Sequence, residues 1–240
     1  MVFLLIPTYN EEENIPKLAL ELAPYVARTD VRIILSDDGS RDRTRDVITT
    51  CFPMERTTIL GDGINRGPGH AFAVGFEHIL LQANDNDLVV TMEADRTSDI
   101  TILPDMLAIA GLGYDLVLAS VYAQGGGFQK TTVLRKLLSA AANFLFRSIF
   151  DLKVSTLSSF YRVYRVPALR KVKERWTGLI SEPGFICMLE LLLKLIRVEA
   201  RVIEVPMILA SGKRIGKSNM KLARTTLEYF RFLVRFRMNG

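Results

Sequence analysis

The stretch Leu88–Asp95, with the sequence LVVTMEAD, decides how the rest of the chain is interpreted. It opens with apolar and β-branched residues, which predict a short buried strand. Glu93 and Asp95 follow, one residue apart, at the carboxyl end of that strand, where open α/β sheets bind their ligands. Two carboxylates in this position can hold a hard divalent cation through oxygen ligands. For an isolated Glu-x-Asp, a strand followed by an acidic turn is the simpler interpretation, so the surrounding sequence has to decide.

Further short apolar stretches predict strands on either side of this one. Glu11, Glu12 and Glu13 would fall in the first turn of a helix, where acidic side chains suit the positive end of the helix dipole. Strands that alternate with helical patterns predict an α/β domain with a mostly parallel sheet and helices on both faces. Several predicted strands end in acidic or turn-forming clusters, which would meet at one sheet edge and form a nucleotide site there. We expect strands at residues 2–6, 31–36, 57–60, 88–91, 115–120, 160–166 and 202–209, and helices leading to Cys51, over Ala71–Leu81, after Leu134 and over Gly184–Ile196.

The composition limits the class of protein. The chain has 240 residues, of which 49% are hydrophobic, and its formal net charge is +5. This basic balance suits nucleic acid, anionic lipid or phosphorylated substrates, but no nucleic-acid-binding module is recognisable. The two cysteines, Cys51 and Cys187, provide no disulfide framework, which favours a reducing compartment. No apolar stretch reaches the roughly 18–20 uncharged residues of a membrane-spanning helix.

Two common nucleotide-binding motifs are missing from the sequence. Gly61-Asp62-Gly63 fails as a dinucleotide fingerprint, because Arg66 stands where the third glycine should be and the motif does not follow the first strand. The sequence also has no Gly-Lys-Ser or Gly-Lys-Thr phosphate loop. A dehydrogenase or a P-loop enzyme is therefore disfavoured.

The C-terminal part of the chain is basic and amphipathic. We divide the chain into a catalytic domain over residues 1–210 and a basic loop with an amphipathic helix over residues 211–240. Basic and apolar side chains recur along different faces of that helix. It either packs on the domain or lies in a membrane interface with its basic residues toward anionic head groups. The basic residues are Lys213, Arg214, Lys217, Lys221, Arg224, Arg231, Arg235 and Arg237, and the acidic one is Glu228.

An ordered series of motifs resembles the family 2 glycosyltransferases. The similarity is greatest to the dolichol-phosphate mannose synthase group and its bacterial polyprenyl-phosphate relatives. Any one of these motifs is weak, but their order along nearly the whole chain is specific. The motifs are Pro7-Thr8-Tyr9-Asn10-Glu11, Asp37-Asp38-Gly39-Ser40, Asn65-Arg66-Gly67-Pro68-Gly69, Glu93-Ala94-Asp95, Tyr122 with the three glycines 125–127, Arg135, Asn143, Arg162-Val163-Tyr164-Arg165, Glu190, Glu204-Val205-Pro206 and Gly216-Lys217-Ser218.

This resemblance implies a GT-A fold, a nucleotide-diphospho-sugar donor and particular site residues. Glu93 and Asp95 would bind Mg²⁺ or Mn²⁺ at the donor diphosphate, because a divalent cation stabilises charge on the leaving group. Asp95 together with Arg135, Lys213 and Arg214 would form the catalytic set, the basic side chains contacting the donor diphosphate or the acceptor phosphate. The residues expected to bind the nucleotide are Pro7, Tyr9, Glu11, Asp37, Asp38 and Ala94.

The resemblance further implies inverting transfer of a sugar to a polyprenyl or dolichyl phosphate at the cytoplasmic face of a membrane. A lipid monophosphate has a second pKa near 6, so at neutral pH it is already largely an anionic nucleophile and needs no carboxylate base. We therefore assign no catalytic role to Glu182 or Glu190, and we interpret His70 and His78 as helix-surface or capping residues. The sequence is also compatible with a small membrane-anchoring partner subunit.

The chain departs from the family pattern at several positions. Glu93 replaces an aspartate, Val121 replaces an arginine, and Asn219 replaces a lysine. The aspartate that precedes the family's Ser-Gly-Phe-Arg motif is absent, and Thr156-Leu157-Ser158-Ser159 stands there. Two alternatives therefore stay open: a glycosyltransferase with a soluble or polysaccharide acceptor, and a non-catalytic nucleotide-sugar-binding scaffold subunit. The base and sugar of the donor, the acceptor chain length and the oligomeric state are not determined by the sequence.

Overall fold

The computed structural model describes residues 1–131, 140, 143, 147–150, 152–216, 228 and 232. Their core element is a β-sheet that carries helices on both faces. The strands are β1 Val2–Thr8, β2 Val31–Asp37, β3 Thr57–Leu60, β4 Leu88–Thr91, β5 Leu116–Ser120, β6 Gly127–Gln129, β7 Arg162–Arg165, β8 Val202–Pro206 and β9 Ile208–Ala210. The helices are α1 Ile15–Val26, α2 Thr44–Cys51, α3 Pro68–Leu80, α4 Leu103–Gly111, α5 Val166–Arg175 and α6 Cys187–Arg197.

Seven of these strands form one sheet in the order β3-β2-β1-β4-β7-β5-β8. Only β7 is antiparallel to its neighbours in this sheet, and the other pairs are parallel. The strands β1, β2, β3, β4, β5 and β8 therefore all end at the same edge, which we call the carboxyl edge. The predicted mostly parallel sheet is confirmed, and so is the convergence of its strand ends.

Alternation along β1 shows how the sheet separates two cores. Phe3 and Leu5 point into a cluster that includes the inner faces of α3, α5 and α6. Leu4 and Ile6 point to the opposite face, where α1, α2 and α4 pack. Because successive side chains of a strand point to opposite faces, a fully apolar strand is the pattern required in a sheet covered on both sides.

The first strand is longer than the sequence predicts, because it continues through Pro7. In the register of the sheet, Pro7 lies opposite Ser36 of β2. The backbone N–H and C=O groups of odd-numbered residues of β1 nevertheless point away from β2, toward β4. The pairing of β1 with β4 ends at Leu5 and Thr91. The missing N–H of the proline therefore lies beyond the end of β4, where the sheet requires no donor.

Two other predictions are corrected. Helix α1 begins at Ile15, so Glu11, Glu12 and Glu13 precede the helix and are not in its first turn. The single strand predicted over residues 202–209 is two strands: β8 belongs to the large sheet, whereas β9 pairs in parallel with β6 in a separate two-stranded sheet. Pairing with β6 starts one residue after Met207, whose backbone N–H donates to Ser120 at the end of β5.

The C-terminal segment is described only in part. The amphipathic helix expected beyond residue 216 and the helix expected after Leu134 lie mostly outside the described residues. Within the segment, the Phe232 side chain is buried in the cluster formed by α3, α5 and α6. In the part of the chain that is described, no helix has the length and apolar character needed to cross a bilayer. The division at residues 210 and 211 remains a prediction.

Candidate functional site

Glu93 and Asp95 lie just past the end of β4, at the carboxyl edge. Asp95 is 5% exposed, and its Oδ1 accepts hydrogen bonds from the backbone N–H of Thr97 (3.0 Å) and from the Thr97 hydroxyl (2.7 Å). The Ser98 hydroxyl donates to Glu93 Oε2. The buried Met92 and Ala94 alternate with the acidic residues and anchor the segment in the core beneath α1 and α4. This alternation explains why both carboxylates are held at the sheet edge.

The two carboxylates influence each other electrostatically. Burial raises the pKa of Glu93, and the nearby negative charge of Asp95 raises it further. Two carboxylates that share a site favour any cation that binds between them. Mg²⁺ and Mn²⁺ fit this donor set, because such ions are commonly held by one or two carboxylates with water and substrate phosphates completing the shell. Among the described residues, no group of three or more His, Cys, Asp or Glu side chains is arranged to hold a metal on its own.

A guanidinium group already lies against this site. Arg214 donates to Asp95 Oδ2 from Nε at 2.6 Å, and its Nη2 donates to the same oxygen. The adjacent Lys213 is turned elsewhere: its Nζ is 3.5 Å from the Glu21 carboxylate on α1, which also accepts from Arg96 at 2.7 Å. Of the two described basic residues that were predicted to contact phosphates, Lys213 and Arg214, only Arg214 is therefore brought to the acidic pair.

The segment that carries Arg214, residues 211–216, is fixed at several points and is called the basic loop here. The β6–β9 pairing leads into it, and the hydroxyls of Thr131 and Ser211 are 2.7 Å apart at its start. Ala210 donates from its backbone N–H to the carbonyl of Thr97 at 3.0 Å. The loop is thus joined to the turn that follows Asp95.

Glu11 reaches the same site from the end of β1. Its carboxylate accepts a hydrogen bond from the Asn14 amide at 2.6 Å, and Asp95 and Arg214 lie close enough to act on it electrostatically. Burial is the main cause that raises the pKa of Glu11 to about 7. Pro7 and Tyr9, which precede it, are half-buried at the same edge of the sheet.

Asp37, at the end of β2, is a fully engaged carboxylate. It accepts hydrogen bonds from the backbone N–H and the hydroxyl of Ser40, and Arg45 Nη1 lies 3.3 Å from Oδ2. The hydroxyl of Thr8, at the end of the neighbouring strand β1, lies 3.5 Å from Asp37 Oδ1. Asp37 therefore closes the turn after β2 next to the end of β1.

Asp38 joins this turn to the loop that precedes α3. Its two oxygens accept from the backbone N–H groups of Arg66 and Gly67, each at 2.8 Å. Desolvation nevertheless raises the pKa of Asp38, the two backbone hydrogen bonds opposing that shift. Gly39 has a φ of +72°, and a Cβ there would lie 2.7 Å from the backbone nitrogen of Asn65. Glycine is therefore required at position 39, because a side chain there would collide with the backbone of the loop that precedes α3.

Glu190 and the two histidines, which the structure describes, lie apart from the acidic pair. Glu190 is buried in α6, where it is 2.7 Å from Lys194 and accepts from the backbone N–H groups of Ser181 and Glu182. It holds a loop in place and is not part of the acidic pair. His70 lies in the first turn of α3 and His78 in the last turn, as expected for helix-surface residues. Arg135 lies outside the described residues.

Sequence reasoning gave no role to four residues that shape the site: Thr97, Ser98, Glu21 and Asn14. Thr97 and Ser98 hold the acidic pair, and Glu21 holds Lys213. Asn14 donates from Nδ2 to the carbonyl of Ile215 and accepts from the Ile215 N–H on Oδ1, both at 3.1 Å. The sequence signal for Asn14 is its position directly before Ile15 and Pro16, and that position suggests a helix cap.

Comparison with known proteins relates the chain to sugar-transferring enzymes. The model of the family described as "Glycosyl transferase family 2" matches residues 3–173. The chain is 29% identical over 219 residues to polyprenol monophosphomannose synthase of Mycolicibacterium smegmatis, covering 90% of this chain and 79% of that protein. It is also 29% identical over 220 residues to undecaprenyl-phosphate mannosyltransferase of Micrococcus luteus, covering 91% and 87%.

The fold is similar to that of a solved enzyme of more distant sequence. Glucosyl-3-phosphoglycerate synthase from Mycobacterium tuberculosis, in complex with Mn²⁺, UDP-glucose and phosphoglyceric acid, superimposes with a TM-score of 0.62 at 18% identity. The similarity covers 94% of this chain and 74% of that one. At this level of identity the likeness concerns the fold.

Proposed function

We propose, on the premise that the chain belongs to glycosyltransferase family 2, that it transfers a sugar from a nucleotide-diphospho-sugar to a polyprenyl phosphate. The match over residues 3–173 confirms the family resemblance, and the two-faced sheet is the GT-A fold expected of it. The chain is thus a glycosyltransferase. The identity of the donor, the lipid acceptor, the inverting course and the location at the cytoplasmic membrane face form the proposal.

The observation that carries the proposal is the position of Arg214 on Asp95. This contact brings a guanidinium to the edge of the sheet where Glu93 also lies. Guanidinium groups match phosphate geometry, and both substrates of the proposed reaction present phosphates. A site that joins two carboxylates and one arginine fits a reaction in which phosphate charge is carried both by the leaving group and by the nucleophile.

The proposed chemical step needs no proton transfer. An oxygen of the acceptor phosphate attacks the anomeric carbon of the sugar from the side opposite the leaving group. A new carbon–oxygen bond forms, the bond from that carbon to the donor diphosphate breaks, and its electron pair leaves with the nucleoside diphosphate. The sugar is then joined to the lipid phosphate with inverted configuration. Glu11 and Glu190 are not needed as general bases, because the attacking phosphate is already anionic at neutral pH.

The chain's own residues would divide the work. Glu93 and Asp95 would hold a Mg²⁺ or Mn²⁺ ion, which supplies Lewis-acid stabilisation of the departing diphosphate. Arg214 would pair with the diphosphate or the acceptor phosphate once it is released from Asp95. Pro7, Tyr9, Glu11 and the turn built by Asp37 and Asp38 would line the nucleoside. Ala94 would form the floor between the carboxylates, and Lys213 and Arg135 would add positive charge.

A lipid acceptor is supported by two independent features. Both curated relatives are named as enzymes of polyprenol or undecaprenyl phosphate. The basic loop is followed by a strongly basic C-terminal sequence, and each basic residue near an anionic surface contributes about 1 kcal/mol to attachment. We propose that this sequence attaches the chain peripherally, alone or with a small anchoring subunit.

Transfer of labelled sugar into an organic-extractable product tests the proposal. The assay contains a polyprenyl phosphate, Mn²⁺ or Mg²⁺, and a panel of donors that starts with GDP-mannose and UDP-glucose. Metal-dependent label in the organic phase supports the proposal and identifies the donor. Label that stays in the aqueous phase would favour a soluble acceptor. The absence of label with every donor, in detergent and membrane lipid, would contradict the lipid reaction and favour a non-catalytic subunit.

Co-sedimentation with liposomes tests the location separately. Binding to anionic vesicles that weakens as salt is raised would support peripheral attachment. Protein that remains in the supernatant with anionic vesicles would contradict it.

A further inference from the structure

Asn14 joins the start of the chain to the basic loop near its end. Its side chain forms a closed pair of hydrogen bonds with one residue, because Nδ2 donates to the Ile215 carbonyl and Oδ1 accepts from the Ile215 N–H. The second Nδ2 hydrogen goes to Glu11 Oε2 at 2.6 Å. Asn14 is 3% exposed, so these bonds form largely out of water. Only a primary amide can donate twice and accept at once in this way.

The bonds to Ile215 replace the local role expected of this residue. Asn14 is the N-cap of α1, a position where asparagine usually accepts from a backbone N–H of the first helical turn. Here its side chain makes no such bond, and Asn14 itself has helical φ and ψ values of −89° and −35°. The amide is instead committed to a residue 201 positions away. Stabilisation of α1 therefore does not explain why an asparagine stands here.

The residue that Asn14 holds is next to the one that reaches the acidic pair. Ile215 directly follows Arg214, whose guanidinium lies on Asp95. The arginine side chain has many rotamers, so its reach depends on where its backbone is fixed. The other attachments of the loop, at Ala210, Ser211 and Lys213, precede Arg214 in the sequence. Asn14 thus fixes the loop after Arg214, and these attachments fix it before.

We propose that Asn14 is a positioning residue, which holds the backbone of the basic loop so that Arg214 can exchange between Asp95 and the diphosphate of the donor. This inference rests on the proposed function, because it takes a nucleoside diphosphate as the ligand of that site. While the metal and diphosphate are absent, Arg214 neutralises Asp95. When they bind, the two hydrogen bonds between Asn14 and Ile215 remain and only the Arg214 side chain moves.

Two measurements without turnover test this inference. Hydrogen–deuterium exchange of residues 211–216 reports on the hydrogen bonds between Asn14 and Ile215. Titration calorimetry with Mn²⁺ and GDP or UDP reports on the diphosphate site. In Asn14→Ala we expect exchange at Ile215 to become about tenfold faster and nucleoside-diphosphate affinity to fall about tenfold. Asn14→Asp keeps the acceptor for the Ile215 N–H but loses both donors and adds a charge beside Glu11, so we expect a similar loss.

A double-mutant comparison separates positioning from a general loss of stability. If Asn14 acts through Arg214, Asn14→Ala will change nucleotide affinity less than about threefold in an Arg214→Ala background. The matched control is Arg56→Met, which removes three hydrogen bonds from Arg56 to the carbonyls at the end of α1, away from the carboxyl edge. We expect this control to lower thermal stability without a change in nucleotide affinity.

Each outcome bears on the inference. Unchanged exchange at residues 211–216 in Asn14→Ala would overturn it, and so would an equal loss of affinity with and without Arg214. If sugar transfer is found, Asn14→Ala should raise KM for the donor more than it lowers kcat, because the chemical residues remain. If no transfer is found but the binding results are as expected, the positioning role of Asn14 is supported and the lipid reaction is contradicted.

Discussion

The guanidinium of Arg214 donates two hydrogen bonds to a single oxygen of Asp95, across 119 residues of sequence. The second oxygen of that carboxylate is occupied by Thr97. Any cation that binds Asp95 must therefore compete with a positive charge supplied by the chain itself. A divalent ion that arrives with a diphosphate offers Arg214 a new anionic partner, whereas the ion alone does not.

Removing this arginine should change metal affinity and catalysis in opposite directions. In Arg214→Gln we expect Mn²⁺ to bind about tenfold more tightly in the absence of nucleotide, because Asp95 loses its competing charge. We expect sugar transfer to fall by about 100-fold, since a phosphate contact is lost. Calorimetric titration with Mn²⁺ and the transfer assay measure the two effects. The control is Lys213→Gln, which removes one positive charge from a residue that is paired with Glu21 and not with Asp95. We expect it to raise Mn²⁺ affinity less than Arg214→Gln does.

The acidic pair should respond to the length and the charge of residue 93. Glu93→Gln keeps the bond from Ser98 but removes a negative charge, so we expect metal-dependent transfer to fall at least about 100-fold. Glu93→Asp keeps the charge but withdraws the oxygen by one methylene, and we expect a smaller loss. A large gain with aspartate would instead mean that the glutamate site is a degraded one.

Glu11 should make the folded protein less stable as pH rises. Its pKa is raised from 4.5 to about 7, so the folded state binds the proton more tightly than the unfolded state. The stabilisation from that proton is fully present below pH 4.5 and is lost as pH rises to about 7. Glu11→Gln cannot lose it, so its stability relative to wild type should increase over this range and then level off. Urea unfolding at pH 5 and pH 8 measures the difference, with the exposed Glu13→Gln as the control.

Gly69, in the first turn of α3, should tolerate no side chain. A Cβ on Gly69 would lie 1.9 Å from the backbone oxygen of Glu182 and 3.0 Å from Cys187 Cβ, so the loop at residues 182–184 would have to move. We expect Gly69→Ala to lower the free energy of unfolding by at least about 2 kcal/mol. Gly111→Ala is the matched control, because a Cβ there meets no atom within 4 Å. Equal thermal stabilities of the two variants would contradict this account.

Glu190 should matter for folding and little for chemistry. Glu190→Ala would leave the ammonium of Lys194 buried without its carboxylate and release the Ser181 and Glu182 amides. We expect a loss of about 3–5 kcal/mol in unfolding free energy. In protein that remains folded at low temperature, kcat should stay close to the wild-type value. A selective fall in kcat would give Glu190 a catalytic role that the structure does not.

The fold was predictable mainly where a strand is marked by its own run of apolar and β-branched residues. The apolar stretches at 31–36, 57–60 and 88–91 lie within one residue of β2, β3 and β4. The start of α1 was not predictable from the acidic run, because Glu11 and Glu12 use their backbone N–H groups on Thr44 and Asp42, which holds the segment outside the helix. Tertiary hydrogen bonds of this kind override the helix dipole preference.

The site was predictable as a set of residue types but not as a set of contacts. The acidic pair could be placed at the carboxyl edge, because it directly follows a strand. The sequence could not show that Arg214 and not Lys213 reaches that pair, since both have the same charge and adjacent positions. Arg214 is directed to Asp95 and Lys213 to Glu21, and both of these partners are distant in sequence.

The pairing of β6 with β9 has a consequence for protein engineering. The segments around residues 121–131 and 207–216 are hydrogen-bonded to each other, and together they bring Arg214 to the site. A chimaera that takes only one of these segments from a relative would combine strands that have not co-existed. Acceptor preference should therefore be transplanted by exchanging both segments at once, as a single two-part graft.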